Sequence, residues 1–225
     1  MERILAIETA TAAGSVALLE RERPVIEVVE TVPQRHLEWL APAIEQALRE
    51  AGWRPGDVHA VAVSRGPGTF TGLRIGVATA IAWARARGIP LVATSTLETL
   101  AEGLEAGGLV CPVLDARRGE VAAALFERDG APSRVLDDLV APVEAILARL
   151  PKGRAVLFAG DALSRYAEAF RAHPKAAFAP ADQWAPRAAM TGRLAWRRLA
   201  RGEHDDPYRV TPFYARGAAV TVARS

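Results

Sequence analysis

Two carboxylates, Glu8 and Asp115, follow apolar runs in this sequence and could do metal chemistry. Glu8 comes directly after residues 4–7, and Asp115 comes directly after residues 109–114. Two facing carboxylates offer the oxygen ligands that Mg²⁺ prefers. The neighbouring Arg117 and Arg118 could equally neutralise them. A solvated or capping role is the commoner one for an isolated glutamate, so we expect no bound metal and treat both carboxylates as degenerate cleft positions.

The most distinctive stretch is a glycine-rich turn between an apolar strand and a helix. This signature turn consists of Gly66, Pro67, Gly68, Thr69, Phe70, Thr71 and Gly72. Glycine allows positive φ and close backbone approach, and the free N–H groups of a helix N-terminus suit an anion. The turn is therefore either a phosphate cradle or a tight connection. The four-residue spacing of Gly72, Gly76 and Ala80 favours close packing of another helix.

Several enzyme motifs are missing. The chain has no Gly-Lys dipeptide, which excludes the nucleotide P-loop, and no Gly-x-Ser-x-Gly elbow. The four histidines, at positions 36, 59, 173 and 204, are far apart, and Cys111 is the single cysteine. Local spacing therefore indicates no zinc or iron site.

Composition indicates a globular protein. Half of the 225 residues are hydrophobic, a quarter are charged, and the formal net charge is +2. This length is enough for two lobes of about 100 residues each. A single cysteine is typical of a reducing compartment. We see neither a leader pattern nor an apolar run of ~18 residues, so we expect a cytoplasmic protein without a membrane segment.

Hydrophobic periodicity divides the chain into two halves with the same pattern. In each half, three strands precede a helix, a fourth strand, a glycine-containing turn and a second helix. We predict a two-lobed, duplicated actin-like α/β fold in which each lobe is a mixed sheet flanked by helices. The N-terminal lobe spans 1–103, the C-terminal lobe 104–205 and a tail 206–225. The final helix starts near Pro186, and Ser95 with Glu98 matches a capping box.

The turn after Glu8 bears on nucleotide binding. In actin-like kinases this hairpin holds an acidic residue and a glycine-rich loop around the nucleotide phosphates. Here Ala10, Ala12 and Ala13 stand where glycines would admit a phosphate. A Cβ at those places crowds the anion, so phosphate binding is predicted to be weak or lost.

Five ordered blocks resemble those of the TsaB family. They are residues 4–11 (Ile-Leu-Ala-Ile-Glu-Thr-Ala-Thr), 66–76 (Gly-Pro-Gly-Thr-Phe-Thr-Gly-Leu-Arg-Ile-Gly), 94–97 (Thr-Ser-Thr-Leu), 115–121 (Asp-Ala-Arg-Arg-Gly-Glu-Val) and 212–216 (Pro-Phe-Tyr-Ala-Arg). The second block is similar to the family's signature. The sequence departs from the family at Glu8, where aspartate is frequent, and at Ala122 and Ala123, where an aromatic residue often follows the valine.

The resemblance implies a non-catalytic accessory subunit. Such a subunit binds its paralogue TsaD and recruits TsaE, and the complex transfers threonylcarbamoyl to the adenosine beside the anticodon of tRNAs that read codons starting with A. It also implies no cofactor on this chain, with ATP and a metal ion used by the partner subunits. It implies a homodimer when the chain is alone, and contact with tRNA through the complex.

Two other hypotheses remain. The first is a stand-alone kinase-like or metallohydrolase (glycoprotease-like) enzyme. The metal-binding histidine pair of TsaD is missing here, since only His36 stands near the relevant helix, and this argues against an enzyme. The second is a homodimer with an unrelated regulatory role. The arginines of the last helix could touch tRNA phosphates, but a solvated face is the better interpretation.

The partner surface is predicted on the helix that starts at His36 and on the helix that follows the signature turn. The candidate residues are Leu37, Trp39, Leu40, Ile44, Leu73, Gly76, Val77, Ala80 and Trp83. About half of the apolar residues on the first helix are expected to be core. We expect Gly76→Trp to impair partner binding while leaving the fold largely intact.

Overall fold

The chain forms two five-stranded sheets with the same strand order. The computed structural model describes residues 2–31 and 35–215. The strands are β1 (Arg3–Glu8), β2 (Ala13–Glu20), β3 (Arg23–Thr31), β4 (Ala60–Ser64), β5 (Leu91–Thr94), β6 (Gly108–Arg117), β7 (Glu120–Asp129), β8 (Ala131–Ala141), β9 (Val156–Ala159) and β10 (Ala176–Phe178). The orders are β3-β2-β1-β4-β5 and β8-β7-β6-β9-β10, so the predicted repeat is confirmed.

The central strand of each sheet is buried on both faces. In β1, residues 4–8 are all buried, which explains its continuous apolar run. It pairs antiparallel with β2 and parallel with β4, and the register places Glu8 opposite Ser15. Strand β6 repeats this arrangement with β7 and β9. The β1–β2 turn and the β6–β7 turn therefore begin at equivalent edges of the two sheets.

Six α-helices within the described residues cover the sheets. They are α1 (His36–Glu50), α2 (Phe70–Arg87), α3 (Thr96–Gly103), α4 (Val143–Leu147), α5 (Leu163–Phe170) and α6 (Ala188–Ala200). Helices α1 and α2 pack side by side on one face of the first sheet and share its core. Helix α2 ends at Gly88, which adopts the left-handed conformation that glycine accommodates without strain.

Two helices cross between the lobes. Helix α6, which the sequence interpretation placed in the C-terminal lobe, packs against β1, β2, β4 and β5 of the first sheet. Gly192 permits this contact, because a Cβ there would overlap the side chain of Leu19. Conversely, α3 packs its apolar face, including Leu97 and Leu100, against the second sheet. The boundary at 103 therefore separates the two sheets but not the helices that cover them.

The arginines of α6 hold it against its neighbours. Arg187 pairs with Glu27 at 2.9 Å, and Arg198 pairs with Asp205 at 3.2 Å.

Arg197 lies 2.9 Å from Glu22 in the β2–β3 turn and 2.9 Å from Glu102 on α3. Arg193 donates to the Glu22 carbonyl, and Arg201 pairs with Glu203. These side chains are engaged within the chain and do not form a free cationic face.

Two local features differ from what the sequence indicates. Ser95 precedes α3, but no described side chain caps that helix, and the Ser95 hydroxyl donates to Asp138 of β8 instead. The three-residue strand β10 was not predicted. Of the predicted tail, 206–215 is described, whereas Arg216 and the residues after it lie outside the described residues. No helix within 2–31 and 35–215 is both long and apolar enough to cross a bilayer.

Candidate functional site

The signature turn packs tightly on the turn that joins β1 to β2. The Thr69 amide donates to the Ala10 carbonyl at 2.7 Å, and the Thr9 hydroxyl donates to the Gly72 carbonyl at 2.8 Å. A Cβ at Gly72 would overlap the Thr9 carbonyl oxygen, and a Cβ at Gly68 would overlap that of Ala10. The glycines therefore serve close approach of the two turns, and α2 occupies the space beside the first hairpin.

Glu8 lies beneath these turns and is fully enclosed. Its exposed fraction is 0%. The Ala10 amide donates to its Oε1 at 2.8 Å, while its Oε2 has no hydrogen-bond partner in the described part of the chain. Burial raises the pKa of Glu8 from 4.5 to about 7, and hydrogen bonds from the Ser64 side chain and the backbone of Ala10 and Thr9 offset this only in part. A carboxyl group in this position favours its protonated form more than an exposed one does.

Neutral hydroxyl groups surround this buried acid. Ser64 Oγ lies 3.2 Å from the Thr99 hydroxyl and 3.4 Å from that of Thr191, which comes from α6. Thr94 lies 3.2 Å from Thr99. Four elements, β4, β5, α3 and α6, thus contribute one hydroxyl each. The cluster joins the crossing helices to the end of the first sheet.

Asp115 has different surroundings. Its carboxylate accepts the Arg117 amide at 2.8 Å and lies 3.6 Å from the Arg117 guanidinium, while its own amide donates to Asp161 at 2.9 Å. Burial raises the pKa of Asp161. Because Glu8 is fully buried, the two predicted cleft carboxylates do not face each other across an open cleft. Among the described residues, no group of three or more His, Cys, Asp or Glu side chains could hold a metal ion.

Most of the predicted interface residues lie in the core. Buried residues among them are Leu40, Ile44, Leu73, Gly76, Val77 and Ala80. These residues pack inside the chain, and whether any of them contacts a partner stays a prediction. Gly76 in particular contacts Thr9, and a Cβ would overlap the Thr9 hydroxyl. Gly76→Trp would therefore damage the fold, contrary to the expectation from sequence.

Three of the predicted interface residues reach the surface. Leu37 is 75% exposed, and Trp39 and Trp83 are partly buried against the first core. Whether a partner covers them stays a prediction. Leu37 lines a groove of about 420 Å³ between the N-terminal turns of α1 and α2. The groove also contains Phe70, Arg74 and Ile75, which belong to the 66–76 block but were not among the predicted interface residues.

The outer face of α2 is a part of this surface that the sequence analysis missed. Thr71, Arg74, Ala78, Ala82 and Arg85 are exposed and recur every three or four residues, as one helix face does. The other residues of α2 are mostly small or apolar on every face of the helix. The sequence therefore shows little contrast between a polar face and an apolar face. Propensity alone could not tell which face turns inward.

The chain segment after Asp205 runs back along α2 to the signature turn. Asp205 accepts the Ala93 amide at 2.8 Å, which covers the edge of β5. Further on, the Phe213 amide donates to the Arg65 carbonyl at 2.6 Å, and Gly66 leaves room for the Phe213 carbonyl. The Tyr214 ring then lies 4.8 Å from that of Phe70. We call residues 205–215 the strap.

The architecture defines a class of protein. Duplicated, mixed five-stranded sheets with helices that cross between lobes are the arrangement of the two-lobed actin-like (ASKHA) fold. The fold is shared with the ethanolamine utilization protein EutJ from Carboxydothermus hydrogenoformans, with a TM-score of 0.53 at 11% identity over 84% of this chain and 89% of that chain. A likeness at this level of identity concerns the fold alone.

Comparison with known sequences identifies the family. The family model described as "TsaD: tRNA N6-adenosine threonylcarbamoyltransferase" matches residues 28–220. The chain is 36% identical to the tRNA threonylcarbamoyladenosine biosynthesis protein TsaB of Bacillus subtilis over 160 residues, which are 70% of each chain. It is 40% identical to TsaB of Escherichia coli over 130 residues, which are 56% of each chain. The chain belongs to the TsaB (YeaZ) family.

A solved structure supports the family assignment over nearly the whole chain. YeaZ from Pseudomonas aeruginosa superposes with a TM-score of 0.85 at 31% identity, over 95% of this chain and 100% of that chain. This structural match covers a larger share of the chain than the sequence alignments with the TsaB relatives do.

Proposed function

We propose that this chain is a non-catalytic accessory subunit in the biosynthesis of threonylcarbamoyladenosine in tRNA. In this proposal it binds a TsaD-type catalytic subunit, and with it TsaE, through the outer face of α1 and α2. The bound subunits use ATP and a metal ion to transfer threonylcarbamoyl to the adenosine beside the anticodon. The names of the TsaB relatives support the pathway.

One observation carries the proposal for the surface. Leu37 is a large apolar side chain that is 75% exposed beside a groove lined by Phe70 and Ile75. Exposed apolar groups that line a groove next to a signature segment are typical of protein interfaces. Trp39 and Trp83 lie on the same two helices, and tryptophan is enriched among residues that dominate binding energy.

The hairpin that holds phosphate in kinase-like proteins is closed here by the chain itself. Backbone groups of Thr9 and Ala10 contact the signature turn, and Glu8 is enclosed below them. A nucleotide phosphate at this hairpin would have to displace the first turn of α2. This favours a binding role over a stand-alone kinase-like role.

Direct tRNA contact by α6 has little support. Its arginines are occupied by Glu22, Glu27, Glu102, Glu203 and Asp205, and breaking these pairs to bind phosphates would loosen α6 from the first sheet. We therefore place contact with tRNA on the assembled complex rather than on this helix.

The surface is tested by the affinity of the chain for a TsaD-type subunit, measured by calorimetry. Leu37→Arg is expected to weaken binding by ~10-fold or more, because it puts a cation and a long side chain into an apolar contact. Val135→Arg is the matched control, since Val135 is 55% exposed on β8 of the other lobe. Equal affinities of wild type and Leu37→Arg would show that a different face binds the partner.

A further inference from the structure

Arg74 is held in a fixed orientation at the rim of the α1–α2 groove. Its guanidinium carbon lies 3.9 Å from the centre of the Phe70 ring, and its Nε donates to the Tyr214 hydroxyl at 3.0 Å. The Phe70 and Tyr214 rings are themselves 4.8 Å apart. Three side chains from the signature turn, α2 and the strap therefore form one stack at the surface.

This stack leaves the charge of Arg74 without an anionic partner. No carboxylate of the described part of the chain pairs with it, and its only hydrogen bond uses Nε. Both terminal amino groups remain available, in the planar geometry that binds a carboxylate with two parallel hydrogen bonds. The Tyr214 hydrogen bond and the Phe70 ring already restrict the Arg74 side chain. Binding a partner therefore costs less side-chain entropy than it would for a freely rotating arginine.

The remaining charges of the groove cancel. Arg35 and Glu38 pair with each other at 3.3 Å, so Arg74 supplies the net charge of the groove. Helix α2 contains no acidic residue in its first turn and carries basic residues in its last. A partner that covers the apolar lining would strip water from Arg74, and an unpaired buried charge is strongly destabilising.

We propose that Arg74 binds a carboxylate of the TsaD-type partner and that Tyr214, carried by the strap, is the positioning residue that fixes its guanidinium. This inference rests on the proposed function. It adds that the partner must present a negatively charged carboxylate to Arg74. A protein carboxylate is favoured over an RNA phosphate. Protein surfaces that bind nucleic acids carry many cationic side chains, which follow the phosphate backbone. Here one unpaired cation sits beside a largely apolar groove.

The arrangement also accounts for two features of the sequence. Gly66 has a φ of +127° and gives the Phe213 carbonyl room, so the strap can reach the signature turn. Tyr214 follows directly and meets both Phe70 and Arg74. Residues about 140 positions apart in the chain thus form one surface element.

The test measures affinity for the TsaD-type subunit at low and high salt with the full-length chain. Arg74→Ala is expected to weaken binding by ~10-fold or more and to reduce the salt dependence. Tyr214→Phe, which keeps the ring and removes the hydroxyl, is expected to weaken binding ~2- to 10-fold. Arg165→Ala is the control, because Arg165 lies on the Tyr166 ring in the other lobe and pairs with no carboxylate of the described residues.

A double-mutant cycle separates positioning from general stability. In the Arg74→Ala background, Tyr214→Phe is expected to have no further effect, since the group it positions is gone. An unchanged affinity of Arg74→Ala, or an effect of Tyr214→Phe that persists without the arginine, would overturn the proposal. If Leu37→Arg still weakens binding in that case, the proposed surface stands and only the charged contact is wrong.

If Arg74 contacts RNA or a second copy of this chain, the Arg74→Ala variant gives a different result. If Arg74→Ala leaves the protein affinity unchanged but weakens retention of tRNA by the complex, the cation faces RNA and the proposal fails. If Arg74→Ala instead alters only self-association of the isolated chain, measured by sedimentation, a second copy is the occupant and the proposal fails too.

Discussion

The buried carboxyl group of Glu8 predicts a pH-dependent stability that one substitution should remove. Its pKa is about 7 in the folded chain against an ordinary value of 4.5. A difference of this size corresponds to about 3 kcal/mol between the two protonation states. In Glu8→Gln, an amide of nearly the same shape replaces the protonated acid and cannot ionise.

The sign follows from proton linkage. The folded state binds the Glu8 proton more tightly than the unfolded state, so the proton stabilises the fold fully below pH 4.5. That stabilisation is lost as the pH rises from 4.5 to about 7. Glu8→Gln should therefore match the wild type near pH 4.5 and exceed it by about 3 kcal/mol at pH 8. For a chain of this length the melting temperature would rise by roughly 6–12 °C.

Urea unfolding of both proteins at several pH values measures the difference directly. Glu45→Gln is the control, because Glu45 is exposed on α1, and it should leave the pH profile unchanged. A constant difference between Glu8→Gln and wild type from pH 4.5 to pH 8 would refute the reasoning. So would a Glu8→Gln protein that is less stable than wild type at pH 8, since the ionised carboxylate would then be the stabilising form.

Two further predictions concern packing and the lobe-crossing ion pairs, each measured by urea unfolding. Gly72→Ala should lower the free energy of unfolding by about 2–3 kcal/mol, because the added Cβ overlaps the Thr9 carbonyl oxygen. The control Gly153→Ala should be neutral, because its Cβ would meet nothing within 4 Å. Equal effects of the two substitutions would contradict the packing account. Arg197→Ala should lower it by about 2–3 kcal/mol, because Glu102, whose side chain is 4% exposed, loses its closest ion pair. Arg201→Ala, which breaks an exposed pair, should change stability little, and a comparable loss there would contradict the role of burial.

The sheets could be predicted from sequence because their central strands are continuous apolar runs. Residues 4–7 and 60–63 are buried on both faces, and the strand periodicity occurs twice in the chain. Helix boundaries followed from equally local signals, such as Gly88 after α2. Local patterns therefore determined the lobes and most elements.

The site depended on tertiary contacts that no local pattern contains. Most residues of α2 are small or apolar, so the inward direction of Val77 and Ala80 became clear only from the sheet core in which they are buried. Ser95 matched a helix cap, yet Asp138 of another strand accepts its hydroxyl. The pairing of Tyr214 with Arg74 joins residues about 140 positions apart, which spacing cannot reveal.

The central claim is that this chain enables catalysis by another subunit without a catalytic site of its own. We would combine TsaD, TsaE, the threonylcarbamoyl-adenylate synthase, ATP, threonine, bicarbonate and tRNA, and quantify modified adenosine with and without the chain. The account predicts modification only when the chain is present, with wild-type activity for Val135→Arg and reduced activity for Leu37→Arg. Equal modification with and without the chain would contradict the claim.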